Sequence, residues 1–319
     1  MAHMTTPDPA LTTDKFGTLD DESRPEHTGF LAGALRRFRR NTLAMVGLLL
    51  VILLIGTAIF APMLTTHDPN AIAIADRLTG PSATYWFGTD NLGRDIFSRV
   101  IVSARVTVTV GFGMVTLAMV VGLPLGAVAG LYGGSWIDEV IMRSCDVFIA
   151  FPTVILAIAI MGAVGTQPID IGPFTIGNVA KVIVVGGIVL APRFARVVRS
   201  SVLKERPMDY VEAARSVGAS DKFVLVHEIL PNSIVPIVIQ ASYYFATAVL
   251  TEAALSFLGI GVQPPQPSWG QMLSQSQAYI FGGDWWFSVF PGLAIFFAMV
   301  GFNLLGDGLR DALDPRGAR

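Results

Sequence analysis

Apolar residues in this chain gather into six stretches, and each approaches the roughly 20 residues that a helix needs to cross a bilayer. The first, LAMVGLLLVILLIGTAIFA, contains no charge. Prolines lie in several of the others, and spanning helices tolerate them where neighbouring helices satisfy the freed carbonyls. The pattern therefore predicts an all-α membrane protein with six spanning helices, at 42–63, 105–131, 147–164, 179–198, 234–258 and 287–305.

Composition agrees with a lipid environment. Apolar residues make up 52% of the chain and charged residues 14%, and the mean hydropathy is +0.59. An ordinary soluble domain carries roughly 25% charged residues. The formal net charge of −2 gives no electrostatic basis for binding nucleic acid, so no nucleic-acid partner is expected.

Positive charge is distributed unevenly among the predicted connections, and Lys and Arg are enriched on the cytoplasmic side of membrane proteins. Four arginines lie within the seven residues, about two helical turns, just before the first predicted span, and the connection between the fourth and fifth spans is also basic. The connection between the fifth and sixth spans has neither Lys nor Arg. Both termini are therefore predicted to be cytoplasmic. The residues behind this prediction are Arg36, Arg37, Arg39, Arg40, Arg193, Arg196, Arg199, Lys204, Arg206, Arg215 and Lys222.

The amino-terminal region precedes the first span. Met-Ala-His-Met resembles an expression scar before a native start at Met4, and residues 1–28 are polar enough to predict a disordered cytoplasmic tail. In 29–41, apolar residues at helical spacing oppose the arginines and predict an amphipathic helix on the inner leaflet. A simple basic stop before the first span is the alternative. The apolar positions are Leu31, Ala34, Leu35 and Phe38.

A charged segment, YVEAARSVGASDKFVLVHEILPN, lies between the fourth and fifth apolar stretches. Pro207 suits a helix start and Gly218 a helix stop, so a short helix is predicted within 207–220. Glu212 is followed by two alanines, whose small side chains leave a surface without protrusions. A second short helix should follow and end at Pro231. A rigid cytoplasmic segment of this kind is suited to docking of a soluble partner.

The first outer loop, 64–102, contains WFGTDNLGRDIFSR, which is rich in turn-forming and charged residues. We expect tight turns closed by ion pairs. Structural support is favoured over ligand contact, because exposed ion pairs are usually weak and local. The candidate pairs join Asp90 or Asp95 to Arg94 or Arg99.

The second outer loop, LGIGVQPPQPSWGQ, contains Trp269 and precedes Trp285 and Trp286. Tryptophan is enriched where a membrane meets water. We interpret these three residues as part of an interfacial aromatic belt, in preference to ligand-stacking groups.

Small and polar residues pattern two of the predicted spans. In the second span glycines recur every four residues and predict close helix packing. In the fifth span a polar stripe should face protein or water, either as a translocation path or as a hydrogen-bonded helix contact. Glu252 ends this stripe nearer the outer side, and a charge at mid-membrane costs about 2.5–3.5 kcal/mol. The glycines are Gly122, Gly126 and Gly130, and the possible path residues are Gln240, Tyr244, Thr247, Thr251 and Glu252.

Several chemistries lack support in the sequence. The single Cys145 cannot form an internal disulfide, and no cluster of His and Cys has metal-ligand spacing. The chain also has no G-x-x-x-x-G-K-[ST] phosphate loop, no G-x-S-x-G nucleophile elbow and no H-E-x-x-H pair. The sequence therefore does not predict a self-contained ATPase, lipase or metalloprotease, and any nucleotide chemistry belongs to a partner.

Four motifs occur in the order that characterises one family: WFGTDNLGRDIFSR, YVEAARSVGAS, LSFLGIGVQPPQPSWG and FNLLGDGLRDALDP. Together with the apolar spacing they cover nearly everything from 36 to 315. On these motifs the chain resembles the C-type permease subunit of dipeptide, oligopeptide and nickel ABC importers. The resemblance implies the type I ABC importer transmembrane fold, with this domain over 103–306 and a cytoplasmic tail at 307–319.

The resemblance also implies the partners of this subunit: a B-type permease, two ABC ATPases, an extracytoplasmic substrate-binding protein and the lipid bilayer of the cell membrane. No cofactor is expected in this chain, with ATP and Mg on the ATPases. One departure concerns the coupling signature, where the family has Ile and this chain has Glu228, followed by Ile229. The positions that match the signature and imply ATPase coupling are Glu212, Ala213, Ala214, Gly218, Leu230 and Pro231.

The resemblance implies a non-catalytic subunit that works by alternating access. ATP-driven closure of the partner ATPases would move the 207–218 helix and reorient the attached spans. Di- and oligopeptides are the expected cargo, while nickel chelates, glutathione and haem are alternatives that the residues do not separate. A different class, a stand-alone channel or membrane enzyme that uses Glu252 and the polar stripe, would work without ATPase partners.

Overall fold

The computed structural model describes residues 30–171 and 174–313, and helices dominate this part of the chain. The predicted tail 1–28, with its scar, lies outside the described residues. One antiparallel strand pair is present, β1 with β2. The elements are α1 (Phe30–Arg40), α2 (Thr42–Leu64), α3 (Ile96–Leu131), α4 (Trp136–Ile149), α5 (Thr153–Val164), β1 (Ile169–Ile171), β2 (Phe174–Ile176), α6 (Asn178–Glu205), α7 (Asp209–Ser216), α8 (Asp221–Phe223), α9 (Leu230–Asn232), α10 (Ile234–Phe257), α11 (Trp269–Ser276) and α12 (Trp286–Leu313).

Among the described residues, the four helices α2, α3, α10 and α12 are long and apolar enough to cross a membrane. The helix α2 coincides with the first predicted span. The helix α3 begins nine residues earlier than predicted, inside the predicted outer loop, because Asp95 caps it by accepting the Ser98 amide at 3.0 Å. The helix α12 continues through the first part of the predicted tail 307–319, as far as Leu313.

The third predicted span, 147–164, is not one helix. The helices α4 and α5 meet at 87° and together make a fifth, broken candidate span. Pro152 lacks an N–H group and restricts Phe151 to extended conformations, so α4 ends before this pair and α5 starts after it. Hydropathy alone could not reveal the break, because both sides of it are apolar.

The pair α3 and α6 forms the most extensive helix contact, and glycines make it possible. The predicted packing of Gly122, Gly126 and Gly130 is confirmed. A Cβ atom at Gly122 would lie 2.6 Å from the Ala191 carbonyl oxygen, and one at Gly130 would lie 2.6 Å from the Val202 Cβ atom. The helix backbones therefore approach more closely than any side chain would allow.

The helix α1 packs partly on protein. Ala34 and Phe38 are buried, and Phe38 contacts Ala44 of α2 and Ala312 of α12. Leu35 remains exposed. Part of the apolar face predicted for the inner leaflet thus packs on the ends of two helices, and the side chain of Leu31 lies outside the described part of the structure.

Arg37 attaches α1 to the last turn of α12. Its Nε and Nη2 atoms donate to the Ala312 carbonyl oxygen at 3.0 and 2.8 Å. Carbonyls at a helix carboxyl end lack partners within the helix, and a cation there is favourable. The contact fixes the orientation of α1.

Ion pairs close the first outer loop, and Asp90 lies at their centre. Its carboxylate accepts Arg94 Nε at 2.6 Å and lies 3.7 Å from Arg99 Nε. Asp95 instead accepts hydrogen bonds from Ser98 and from the Thr66 hydroxyl, the latter at 3.0 Å. These contacts are internal to the chain, as the structural interpretation expects.

The tryptophans of the outer side differ from one another. Trp285 is exposed, as expected of an interfacial belt. The belt prediction is wrong for Trp269, which is buried and donates to the Val100 carbonyl oxygen at 3.0 Å, and Trp286 donates to Thr89. Both indoles find their acceptors within the protein, because the outer loop folds back over α11 and α12.

Substitution of the helix-contact glycines should loosen the bundle. A Cβ atom at Gly126 would lie 2.8 Å from the Val198 Cβ atom, whereas nothing lies within 4 Å of one at Gly56 in α2. We expect Gly126→Ala to lower the stability by about 1–3 kcal/mol through overpacking, and Gly56→Ala to leave it unchanged. Thermal unfolding of the detergent-solubilised protein measures both. An equal effect of the two substitutions would contradict the role of Gly126 in packing.

Candidate functional site

The predicted docking helix is present as α7, which follows the carboxyl end of α6. Its first turn carries Asp209 and Glu212, where acidic side chains favour a helix amino terminus. Glu212 and Ala213 are exposed and Ala214 is half-buried, while Val211 is buried beneath them. The predicted surface of small side chains is thus exposed, while Val211 anchors the helix in the core.

Gly218 ends this helix through backbone geometry. Its φ angle is +89°, a left-handed conformation that residues with a Cβ atom rarely adopt. The Gly218 amide donates to the Arg215 carbonyl at 2.9 Å, and the Ala219 amide donates to the Ala214 carbonyl at 3.1 Å. These bonds satisfy the last carbonyls of the helix. Nothing lies within 4 Å of a Cβ atom built at Gly218, so space alone does not require glycine. Glycine is needed because of the left-handed backbone conformation of the turn.

The second helical segment differs from its prediction, because it does not end at Pro231. It starts with α8, passes through a π-helical turn at Val224–Ile229 and continues in α9. The Leu230 amide donates to the Leu225 carbonyl in the wider turn, so Pro231 falls at the start of a new turn, where no donor is required. Leu230 is half-buried and Pro231 is exposed.

Buried apolar side chains hold the two helical segments together. Val211 of α7 and Val224 and Ile229 of the second segment are fully buried in the main core. Ile229 therefore fills the apolar position beside Glu228, which is half-buried. The departure from the family signature leaves the underside of the segment closed.

An apolar surface without a partner accompanies these helices. Val217 is 86% exposed, and Phe223 and Val226 are also exposed. Phe223 stacks on His227, with the ring centroids 4.4 Å apart. Exposed apolar groups on a rigid, partly charged surface are typical of protein docking sites. We call the exposed residues Glu212, Ala213, Val217, Gly218, Phe223 and Val226 the coupling surface.

Tyr210 ties α7 to the end of α6. Its hydroxyl donates to Glu205 Oε2 at 2.8 Å. Desolvation, followed by this hydrogen bond to a carboxylate, raises the pKa of Tyr210 to about 12. Arg215 and Asp221 approach to 3.4 Å across the glycine turn, but both are exposed, so this pair contributes little.

The polar stripe of the fifth predicted span lies on α10 and divides into two groups. Tyr244 and Thr251 are buried inside the bundle, and the Tyr244 ring lies 5.6 Å from the Phe194 ring of α6. The Thr251 hydroxyl donates to the Thr247 carbonyl at 2.8 Å. Gln240 and Thr247 are half-exposed. In this conformation the buried pair makes helix contacts, and the half-exposed pair remains accessible.

Glu252 is 1% exposed and lies beneath the second outer loop. Its Oε1 atom accepts the Ser256 hydroxyl at 2.7 Å, and the Ser256 oxygen in turn accepts the Val262 amide at 3.1 Å. A backbone amide of the loop after α10 thus holds this carboxyl group indirectly, through the Ser256 hydroxyl.

A cleft opens elsewhere, between the α5–α6 connection and the loop before α11. Its volume is about 760 Å³. Asn178 and Gln263 of its lining both donate to carbonyl oxygens of the α10–α11 loop, including that of Gly261. The rim of this cleft therefore presents amide groups on a braced loop.

Sequence reasoning missed one partly buried ion pair, Asp138 with Arg199. Arg199 Nε and Asp138 Oδ1 are 2.5 Å apart, and the pair joins α4 to α6. Arg199 had been counted only toward membrane orientation. The sequence offered one signal: Ser135 caps α4, and the acid Asp138 stands at the third position after it.

Comparison with known proteins gives the family. Residues 122–319 match the model of the binding-protein-dependent transport system inner membrane component, and residues 29–81 match the N-terminal TM domain of oligopeptide transport permease C. The chain belongs to this family of ABC importer permeases, as its C-type member. The motifs that carried the resemblance therefore identified the class correctly.

Individual relatives extend over nearly the whole chain. The dipeptide transport system permease protein DppC of Alkalihalophilus pseudofirmus is 44% identical over 283 residues, 89% of each chain. The glutathione transport system permease protein GsiD is 43% identical in Pectobacterium atrosepticum and 45% identical in Escherichia coli O6:K15:H31, in each case over 88% of this chain and 89% of the relative.

Solved structures show the same fold. A chain of the MetNI methionine ABC transporter in inward-facing conformations superposes with a TM-score of 0.52 at 20% identity, over 68% of this chain and 96% of that one. At this identity the match establishes the type I importer fold alone. The protein is a multi-pass membrane permease, and the side on which its termini lie stays a prediction.

The environment of Tyr210 can be tested by its ionisation. With a pKa of about 12, Tyr210 should stay mostly neutral at pH 11, where a tyrosine with an ordinary pKa of about 10 is mostly ionised. Because the pKa of Tyr210 is higher in the folded than in the unfolded protein, its contact contributes its full stability to the fold below the unfolded pKa. This contribution is lost as the pH rises through the folded pKa. The absorbance at 295 nm, wild type minus Tyr210→Phe, should therefore show little phenolate at pH 11. A fully ionised tyrosine in this difference would contradict the contact.

Proposed function

We propose that this chain is one permease subunit of an ATP-driven importer and forms half of the translocation path for di- and oligopeptides. The observation that carries the proposal is the coupling surface, an exposed apolar and acidic face on a buried foundation. The similarity to DppC over 89% of both chains supports peptides as cargo. The similarity to GsiD makes glutathione, itself a peptide, the second candidate.

The proposed complex contains a B-type permease, two ABC ATPases and an extracytoplasmic binding protein. We assign the coupling surface to a groove on one ATPase, which supplies ATP and Mg, and this chain has no catalytic role. The cleft between the α5–α6 connection and the loop before α11 lies on the predicted outer side, and we assign it to the binding protein.

Alternating access follows from differential binding. The closed and open ATPase pairs must bind the coupling surface with different free energies, because a partner that binds both states of the permease equally shifts nothing. The buried residues Val211 and Ile229 make the surface move as a unit with the bundle. Closure of the ATPases would then open the path outward, and hydrolysis would restore the inward-facing form.

We assign the path lining to the accessible part of the α10 stripe. Gln240 and Thr247 are half-exposed and can face the partner permease or water. Tyr244, Thr251 and Glu252 could contact cargo only after a rearrangement of the bundle, because all three are buried in this conformation. Their proposed role is therefore support of the path from behind.

Substitutions in the coupling surface should uncouple transport from ATP hydrolysis. Proline at Gly218 can neither adopt a φ of +89° nor donate to Arg215, so Gly218→Pro destroys the turn. We expect uptake into vesicles to fall by about tenfold or more, with membrane insertion intact. Gly283→Pro is the matched control, since Gly283 has a φ of +95° and an open Cβ position on the outer side.

Charge reversal provides a second test of the same surface. Glu212→Lys should also uncouple transport, whereas Glu139→Lys, which reverses an exposed acid in the first turn of α4, should not. Wild-type uptake by Gly218→Pro and Glu212→Lys in normally assembled complexes would refute the coupling role. Transport by this chain without ATPase subunits would instead favour a stand-alone channel.

Cargo is tested by uptake. A strain that lacks the gene for this chain should lose uptake of labelled dipeptide, and expression of the chain should restore it. Labelled glutathione, a nickel chelate and haem are measured in parallel, because similar permeases serve all of them. Restoration of glutathione uptake alone would replace the peptide assignment by the second candidate.

A further inference from the structure

Asp138 and Arg199 form a directional link between α4 and α6. Arg199 Nε donates to Asp138 Oδ1 at 2.5 Å, and Arg199 Nη2 donates to Asp138 Oδ2 at 2.6 Å. The Asp138 carboxylate is buried. Two parallel, charge-assisted hydrogen bonds fix the angle between the groups as well as their distance.

Two further hydrogen bonds support this link, one from the α3–α4 turn to Asp138 and one from the end of α6 to the turn. The Gly134 amide donates to Asp138 Oδ2 at 3.0 Å, which holds the carboxylate in position. Arg206 Nη1 donates to the Gly133 carbonyl at 3.4 Å, one residue beyond the end of α6. The last two turns of α6 are therefore fastened to the start of α4.

These contacts continue directly into the coupling surface. Glu205 ends α6 and accepts the Tyr210 hydroxyl of α7, and Val211 of α7 is buried in the same core. Displacement of α7 is thus passed to the end of α6, and from there through Arg199 to α4.

The glycine contact between α3 and α6 cannot provide this link by itself. The contact at Gly122, Gly126 and Gly130 is mostly apolar and joins α6 to α3, not to α4, and packed helices can slide past each other in shear motions. A bidentate ion pair at one end resists sliding, because it loses both hydrogen bonds and leaves a buried carboxylate unpaired.

We propose that Asp138 and Arg199 are positioning residues of the transport cycle, a strut that makes α4 move together with α6 and the coupling surface. The proposal rests on the function proposed above and adds the route from the ATPase contact to the broken α4–α5 span. The strut prevents α4 from sliding along α6. Without it the ATPases should still hydrolyse ATP, but less substrate should be transported per ATP.

The test uses the complete importer in proteoliposomes and measures dipeptide transported per ATP hydrolysed. Asp138→Asn keeps the volume of the side chain and an acceptor for Gly134 but removes the charge. We expect the ratio to fall by about tenfold, while the ATPase rate in the presence of binding protein is retained. Glu139→Gln is the matched control, because this neighbouring acid forms an exposed pair with Arg143 and should leave the ratio unchanged.

A double-mutant cycle shows whether the two residues act as one unit. If they form a strut, Arg199→Gln and the double variant with Asp138→Asn should have the same low ratio as Asp138→Asn alone. If the double variant lowered the ratio by the product of the two single effects, the proposal would be overturned. A wild-type ratio in assembled Asp138→Asn complexes would also overturn it. Arg199→Lys, which keeps the charge but not the bidentate geometry, replaces Asp138→Asn if that variant fails to assemble, and a wild-type ratio would again overturn the strut.

Gly218→Pro separates failure of the strut from failure of the proposed function. Uncoupling by Gly218→Pro together with a normal ratio for Asp138→Asn refutes the strut alone. Normal coupling in the Gly218→Pro complex refutes the coupling role on which the strut depends.

Discussion

Close approach of α3 and α6 is the constraint on which the other arrangements depend. Three glycines let the two backbones touch, so the longest helix of the described chain packs directly against the helix that leads to α7. Lipid supplies no hydrophobic driving force between apolar helices, and van der Waals packing of small residues takes its place. The coupling surface is attached to this pair of helices, because α7 follows α6 directly.

The segment from α7 to α9 combines a buried underside with an exposed face. Val211, Val224 and Ile229 close the underside, whereas Val217 and Phe223 remain available to a partner. A docking element that must transmit force needs both properties, since a loose element would absorb the displacement of its partner. Comparison with dipeptide and glutathione permeases places this segment in a protein whose family is driven by partner subunits.

Local patterns predicted the elements well, and tertiary contacts account for the differences. Helical glycine spacing and the Gly218 stop were readable because each depends on a few neighbouring residues. The bend at Pro152 lies within continuous apolar sequence, and the π-helical turn before Pro231 shifts a hydrogen-bonding pattern that the sequence does not display. The pairing of Asp138 with Arg199 spans 61 positions, so no local signal could join them.

The contact of Arg37 with the Ala312 carbonyl brings the first and last described helices together. The first and last described helices therefore lie on one face of the bundle. A permuted form of this bundle is feasible for that reason: a short linker could join α12 to α1, and the chain could be opened at an exposed connection elsewhere.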